Sequence, residues 1–503
     1  MRSKVSFYKY IDKKYFIYLL LLIGAYLRII YLIGLDDYYD DWNFFFTVDP
    51  NISNEITWVR YFGERRELGN YNPVDWNKVG EDFPYYFAFL SKYIFMIIGY
   101  SVEKAHYLIL FFSICSLIIV SRICDLFTSN IDFKILTLFL FITNLYLIKD
   151  LNALRPHSLT IFLTLLSLYF FILIYLKNKI SNKNIVAYCL ITLFYLLIWP
   201  INLSFFIGQL TVLTLIYLSK SFNNNKVLIL PSLIIIILYF MLNFHYLNYQ
   251  VVDKPDHYTP LEIKFFISYF FNMFFGSIYF GGLMLLIFVF FLFDYLRKNF
   301  KLNKFNLTSY FIEKKVEDSF LIIILVIYSL LILYSTFRAP LMAAKYVPFL
   351  VPLIIFWISY KIYNLKKKIY YFGIIFFSIL NIVVFWDKIQ IDRPPIKKVL
   401  NQLIQSDTKN IFTTEGDVFN HFLNNHNLSL KNNLKFKNFD KKSVNNLPEK
   451  FWYLCLNNPR FRIGTNQLPD EKKCYYFKNY DDFVLVKTIR APDILIHKIE
   501  KKN

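Results

Sequence analysis

Apolar stretches long enough to cross a bilayer as helices recur along the chain up to Trp386, parted by short polar segments. They predict about eleven spans, each near the length of roughly twenty residues that the hydrocarbon thickness demands. The predicted spans lie near 15–34, 105–122, 133–149, 157–176, 185–199, 201–219, 227–246, 275–295, 319–336, 346–362 and 369–386. In lipid, a helix satisfies its own backbone, so this pattern predicts a polytopic α-helical membrane protein.

Two apolar segments are set apart from the spans. Residues 84–101, PYYFAFLSKYIFMIIGYS, carry Lys92 mid-segment and read as an amphipathic helix at the membrane interface. Residues 262–274, after NYQVVDKPDHYTP, are a second candidate. Beyond Trp386 the sequence turns charged and Asn-rich, with β-like runs at 410–414, 451–456, 483–489 and 493–499. Helical spacing appears at 396–405 and 417–423. The pattern predicts a membrane domain over 1–386 and a small α/β domain over 387–503.

Composition agrees: 56% of residues are hydrophobic and the mean hydropathy is +0.40. The net charge of +20 would suggest nucleic acid were the cations gathered on one aromatic-laced face, and they are not. They sit in short segments between spans, including Lys9, Lys13 and Lys14; Lys177, Lys179 and Lys183; Arg297, Lys298 and Lys301; and Lys361, Lys366 and Lys367. The positive-inside rule then puts the N-terminus in the cytoplasm. The loop over 35–104 and the domain over 387–503 are then expected on the extracytoplasmic side. The basic start, MRSKVSFYKYIDKKYF, leads into a span with no small-residue cleavage site and reads as a retained helix. Cys115, Cys124 and Cys189 belong to apolar spans, whereas Cys455 and Cys474 are either bridged or two free thiols.

The stretch Leu35–Pro84 reverses the sign of its surroundings, with Asp36, Asp37, Asp40, Asp41, Asp49, Glu81 and Asp82 among its acids. Trp42, Trp58 and Trp76 interleave them, as on an interfacial surface. The pair Asp40–Asp41 stands a few residues beyond the first span. Paired acids near an apolar boundary can orient an acceptor hydroxyl or take its proton. They can also hold a divalent cation, since hard metals prefer oxygen ligands. Arg28, Arg155, Arg338 and Lys345 fall at the outer ends of spans. A cation there either snorkels to the interface or pairs with an anionic lipid headgroup.

The order of these features resembles the polyprenyl-phosphate-sugar-dependent glycosyltransferases of the GT-C fold. The similarity is to the protein O-mannosyltransferase-like and aminoarabinose-transferase-like bacterial membrane branch. Those families carry an Arg in the first helix, an acidic pair, usually Asp-Glu, in the first outer loop, and a His-Pro-Pro or Lys-Pro-Pro-Leu-Tyr-Tyr segment opening an interfacial helix. An Arg-containing middle turn and an Arg-Tyr-X-X-Pro segment follow. Here Arg28, Asp40–Asp41, Pro84-Tyr85-Tyr86, Arg155-Pro156-His157 and Lys345-Tyr346-Val347-Pro348 stand in that order. Glu81, Asp82 and Phe83 replace the family's His or Lys before the Pro-Tyr-Tyr, and Lys345 replaces its late Arg.

The resemblance implies a membrane glycosyltransferase that transfers a hexose or pentose from a polyprenyl-phosphate donor to an acceptor at the outer face of a bacterial inner membrane. The acceptor would be a glycolipid, a polysaccharide or a protein. It implies Asp40 and Asp41 at the reacting centre, and Arg28, Asp82, Tyr85, Arg155, Lys345 and Tyr346 around the substrates. No nucleotide-phosphate loop appears, in keeping with a lipid-linked donor. A divalent cation is the one cofactor the acids suggest. The rival class is a polyprenyl-lipid flippase or solute transporter, which predicts charges buried mid-membrane and discontinuous helices in related halves.

Overall fold

The computed structural model describes residues 2–33, 48–51, 85–150, 155–219, 225–249, 271–300, 315–337, 346–365, 368–391, 403, 410–413, 420, 435–439, 447–456, 477, 482–491 and 494–502. The helices are α1 (Arg2–Ile33), α2 (Tyr85–Ile98), α3 (Val102–Phe127), α4 (Ile131–Ile142), α5 (Leu145–Asp150) and α6 (His157–Phe171). A π turn, Ile172–Leu176, continues α6. Then come α7 (Asn182–Ile198), α8 (Leu203–Leu218), α9 (Asn225–Tyr249), α10 (Ile278–Phe300), α11 (Lys315–Phe337), α12 (Leu350–Asn364) and α13 (Lys368–Ile391).

The predicted spans fall mainly on helix, and among the described residues 6 stretches are both long and apolar enough to cross a membrane. These are Tyr15–Leu32, Glu103–Phe127, His157–Leu176, Ile278–Arg297, Val316–Phe337 and Ile369–Trp386. Asn182–Ile198, Leu203–Leu218, Lys226–Leu242 and Leu350–Asn364 are shorter apolar helices. The described residues form two compact units: one from α1, the start of α2 and the helices up to Trp386, the other from 88–105 and the C-terminal sheet.

In the helical unit, α1 shows how composition becomes orientation. Tyr15, Tyr18, Leu19, Leu22, Tyr26 and Ile29 are exposed at helical spacing, an apolar stripe suited to lipid. Ile17, Leu20, Gly24, Arg28 and Tyr31 fill the opposite, buried stripe. Gly24 is there because a Cβ would lie 2.8 Å from Ile142 Cγ1, so its absence lets α1 close on α4.

The predicted span 133–149 is not one helix. It breaks at Thr143–Asn144, and a second break, at Gly276–Ser277, separates the helical turn 271–275 from α10. Breaks inside an apolar protein strand backbone groups that no water can reach. Here side chains take them up. Asn144 accepts from the Leu147 N–H at 2.9 Å and donates to the Phe274 carbonyl at 2.8 Å. Asn381 of α13 donates to the Phe275 carbonyl at 2.9 Å and accepts from the Ser277 hydroxyl. Gly276 turns the chain with φ +77° where a Cβ would meet Leu145 Cβ at 2.4 Å. Asn381→Leu keeps the size but strands the Phe275 carbonyl. Thermal unfolding of the detergent-solubilised chain should show a loss of about 1–3 kcal/mol, and an unchanged melting point would mean the breaks hold without it.

A second polar knot joins α6, α7 and α8. Gln209 accepts from the phenols of Tyr195 at 3.2 Å and Tyr188 at 3.4 Å, and donates to Ser167 Oγ at 3.3 Å. Ser167 in turn pairs with Thr192 at 2.9 Å. At the far end of α12 from Tyr346, Lys361 in its last turn forms an ion pair with Glu317 in the first turn of α11. Each charge opposes the dipole of its own helix end. Tyr295 of α10 donates to Asp318 at 3.1 Å beside them.

The second unit differs from expectation in two ways. In α2 the exposed residues are Tyr93, Met96, Ile97 and Ile98, whereas Ser91 and Lys92 are buried. Its outward side is therefore apolar and its cation faces inward. The C-terminal strands β1 (Asn410–Thr413), β2 (Lys435–Asn438), β3 (Lys450–Leu456), β4 (Phe483–Ala491) and β5 (Ile494–Lys501) make one sheet, ordered β2-β1-β3-β5-β4. The strands β1, β2 and β3 run parallel, and β5 is antiparallel to both its neighbours.

Phe412, Phe451, Tyr453, Cys455, Leu495 and Ile499 pack with Leu447, Phe477 and Phe483 on one face. Ile411, Trp452, Leu454 and Ile496, at alternate positions, are also buried, as in an α/β domain covered on both sides. The strand β2 was not predicted: KFKN has no β-like run, and Asn420 pins it by bonding both the N–H and the carbonyl of Phe436 at 2.8 and 2.7 Å. The expected helices at 396–405 and 417–423 lie outside the described residues except for Leu403 and Asn420. Cys455 is disulfide-bonded, and Cys115, Cys124 and Cys189 are free thiols. Cys474 lies outside the described residues.

Candidate functional site

Arg28 is placed by the buried stripe of α1, one turn beyond Gly24. Its guanidinium is wholly buried. Nε donates to Ser113 Oγ of α3 at 2.8 Å, and Nη1 donates to the Gly24 carbonyl at 3.0 Å. The cation lies over the Phe141 ring of α4, 5.8 Å from Cζ to the centroid. Nη2 is buried and has no hydrogen-bond partner among the described residues. A guanidinium keeps its charge, and burying it without a carboxylate is costly.

A second cluster forms where three turns meet. His157 opens α6 two residues after Arg155, which is half-buried. Its ring stacks on the Trp199 indole, with centroids 5.2 Å apart and planes 16° from parallel. Trp199 meets Tyr346 edge-on at 6.2 Å, and Tyr346 follows Lys345 on the approach to α12. Phe205 and Phe349, at 5.6 Å, join the same segments one layer deeper. The turn between α7 and α8 is fixed by Asn202, whose side-chain amide donates to the Tyr195 carbonyl at 2.7 Å. That bond leaves the acceptor end, Asn202 Oδ1, buried and without a partner among the described residues, as is Ser158 Oγ. Phe112, beside Ser113, packs on Phe162 of α6 at 5.8 Å and so ties α3, whose Ser113 accepts from Arg28, to the helix that starts at His157.

The structure thus brings the turn of Arg155 together with Tyr346, and places Arg28 on α1, α3 and α4. Tyr86, in the Pro-Tyr-Tyr segment, donates its phenol to the Leu242 carbonyl of α9 at 2.9 Å. Tyr85 is the first residue of α2. Asp40, Asp41, Asp82, Arg338 and Lys345 lie outside the described residues. Among the described residues no group of three potential metal ligands occurs. Sequence reasoning gave no place to Trp199, an indole before Pro200, or to Ser113, one small polar residue in an apolar run. The only signal for Trp199 was an indole at the end of a span, where aromatic residues are common for interfacial reasons alone.

No protein-family model matches the sequence, and no curated protein does. Solved structures do match by shape. The crystal structure of ArnT from Cupriavidus metallidurans bound to undecaprenyl phosphate is 8% identical, covering 96% of this chain and 98% of its own, with a TM-score of 0.51. The apo state of that protein aligns over 95% and 97% of the two chains, with 8% identity and a TM-score of 0.49. The archaeal oligosaccharyltransferase AglB from Archaeoglobus fulgidus, in complex with an inhibitory peptide and a dolichol-phosphate, aligns more loosely. It shows 13% identity over 86% of this chain and 57% of that one, with a TM-score of 0.37. The chain has the fold of ArnT, in agreement with the GT-C fold expected from the sequence.

Proposed function

We propose that this chain is a membrane glycosyltransferase that moves a sugar from a polyprenyl-phosphate donor to an acceptor on the extracytoplasmic face. Arg28 carries the reading: a fully buried guanidinium whose Nη2 has no hydrogen-bond partner among the described residues, in the fold of a protein whose crystal structure holds undecaprenyl phosphate. In the proposed reaction the bond between the sugar's anomeric carbon and the phosphate oxygen breaks, and its electron pair leaves on the phosphate. A new bond forms to the acceptor oxygen, whose proton passes to Asp40. Asp41 supports that carboxylate. Arg28, Arg155 and Lys345 stabilise the departing phosphate, where preorganised positive charge acts most strongly. Tyr346, Tyr85 and Asp82 line the donor and acceptor. If the acceptor is already an anion, Asp40 positions it instead.

The disulfide at Cys455 supports an outer location for the C-terminal domain, since such bonds persist in oxidising compartments. The two helix breaks bear on the transporter alternative. In transporters the unwound backbone is left to coordinate ions, whereas here the Phe274 and Phe275 carbonyls are taken by Asn144 and Asn381. The test is binding of undecaprenyl phosphate against undecaprenol to the purified full chain. The proposal expects clear preference for the phosphate, and equal binding of the two would reject it.

A further inference from the structure

We infer that Ser113 is a second hydrogen-bond donor at the anion site of Arg28, so that one phosphate oxygen of the lipid accepts from both Arg28 Nη2 and the Ser113 hydroxyl; this rests on the lipid-phosphate reading above. Ser113 is wholly buried in α3. A hydroxyl in an apolar helix can return its proton to the carbonyl four residues back. Ser116 of the same helix does so, donating to the Phe112 carbonyl at 2.9 Å. Thr137 and Thr164 do the same to the carbonyls of Phe133 and Thr160. Ser113 is different. Its Oγ accepts from Arg28 Nε at 2.8 Å, and its own proton has no acceptor among the described residues.

The shape of the guanidinium says where that proton can be used. Nε–H and one N–H of Nη2 lie side by side along one edge, the edge that grips a carboxylate or a phosphate as a fork. Here Ser113 Oγ occupies the Nε side of the fork, and the Nη2 side has no partner among the described residues. An oxygen seated at Nη2 lies about 3 Å from Ser113 Oγ, within reach of its proton. Other approaches are taken: Nη1 is spent on the Gly24 carbonyl at 3.0 Å, and the Phe141 ring covers one face of the cation. Beside a fixed cation and a spare proton, an anionic oxygen fits better than a neutral hydroxyl, because its charge strengthens both bonds.

The experiment measures binding of undecaprenyl phosphate, undecaprenol and inorganic phosphate to the purified full chain and to its Ser113→Ala, Arg28→Met and doubly substituted forms. Ser113→Ala should weaken undecaprenyl phosphate binding roughly ten-fold and leave undecaprenol binding unchanged. In the Arg28→Met background, Ser113→Ala should still weaken binding about three-fold or more, because a donor is lost in its own right. A serine that merely held Arg28 in place would cause no further loss once Arg28 is gone, and that result would overturn the inference. Ser113→Cys, of similar shape but a weak donor and acceptor, gives the same comparison if Ser113→Ala does not accumulate. Inorganic phosphate bound as tightly as the lipid would overturn the assignment to a lipid headgroup. Equal binding of undecaprenyl phosphate and undecaprenol by the unsubstituted chain would reject the lipid-phosphate reading, and the inference with it. A clear preference for the phosphate that survives Ser113→Ala would reject the inference alone.

Discussion

Arg28→Met should weaken undecaprenyl phosphate binding by roughly 10- to 100-fold, the value of one or two hydrogen bonds to a charged group. The same substitution should leave the ligand-free chain at least as heat-stable as before. The two results together are diagnostic. A guanidinium buried between α1, α3 and α4 without a carboxylate among the described residues costs stability. Replacing a buried charge with an apolar chain of similar size is often neutral or stabilising. A structural staple would behave the other way, because losing the bonds to Ser113 and to the Gly24 carbonyl would then destabilise the chain. Arg28→Lys should recover only part of the binding, since a planar fork becomes a point charge. Unchanged affinity with a lowered melting point would make Arg28 a fastener and remove it from the site.

Asp40→Asn should reduce sugar transfer by roughly 10² or more, with the protein inserted and abundant, because the exchange preserves shape and removes the charge or base. Asp36→Asn, four residues earlier in the same acidic loop, should cost far less. The comparison matters because both lie outside the described residues and are distinguished by the motif order alone. Transfer rates with the membrane level of each variant measured in parallel are the readout. Equal, small losses at both positions would make the pair part of a solvated face.

The helices were legible because hydropathy dominates in lipid, where backbone satisfaction leaves little choice of structure. What hydropathy could not reveal is where partners lie. The run 133–149 looks continuous, and its break at Thr143–Asn144 depends on the Phe274 carbonyl, far along the chain. Arg28 was found as a cation at the end of a span, equally suited to snorkelling. Its burial follows from Gly24, whose missing Cβ lets α1 approach Ile142. Hydropathy likewise gave no sign that Lys92, inside an apolar helix, has its side chain buried. Trp199 is the clearest case: in the sequence it is an indole before Pro200, and only the structure shows His157 and Tyr346 meeting on its ring. In the C-terminal domain the apolar strands were visible, but β2 depends on Asn420 rather than on its own side chains.

The most direct measurement is sugar transfer by the purified chain reconstituted in liposomes with the lipid-linked sugars and acceptors of its own membrane, in the absence of any ion gradient. A glycosidic product and free polyprenyl phosphate, both lost in Asp40→Asn and Arg28→Met, is the result this account predicts. Movement of lipid or solute across the bilayer with no glycosidic bond formed would contradict it.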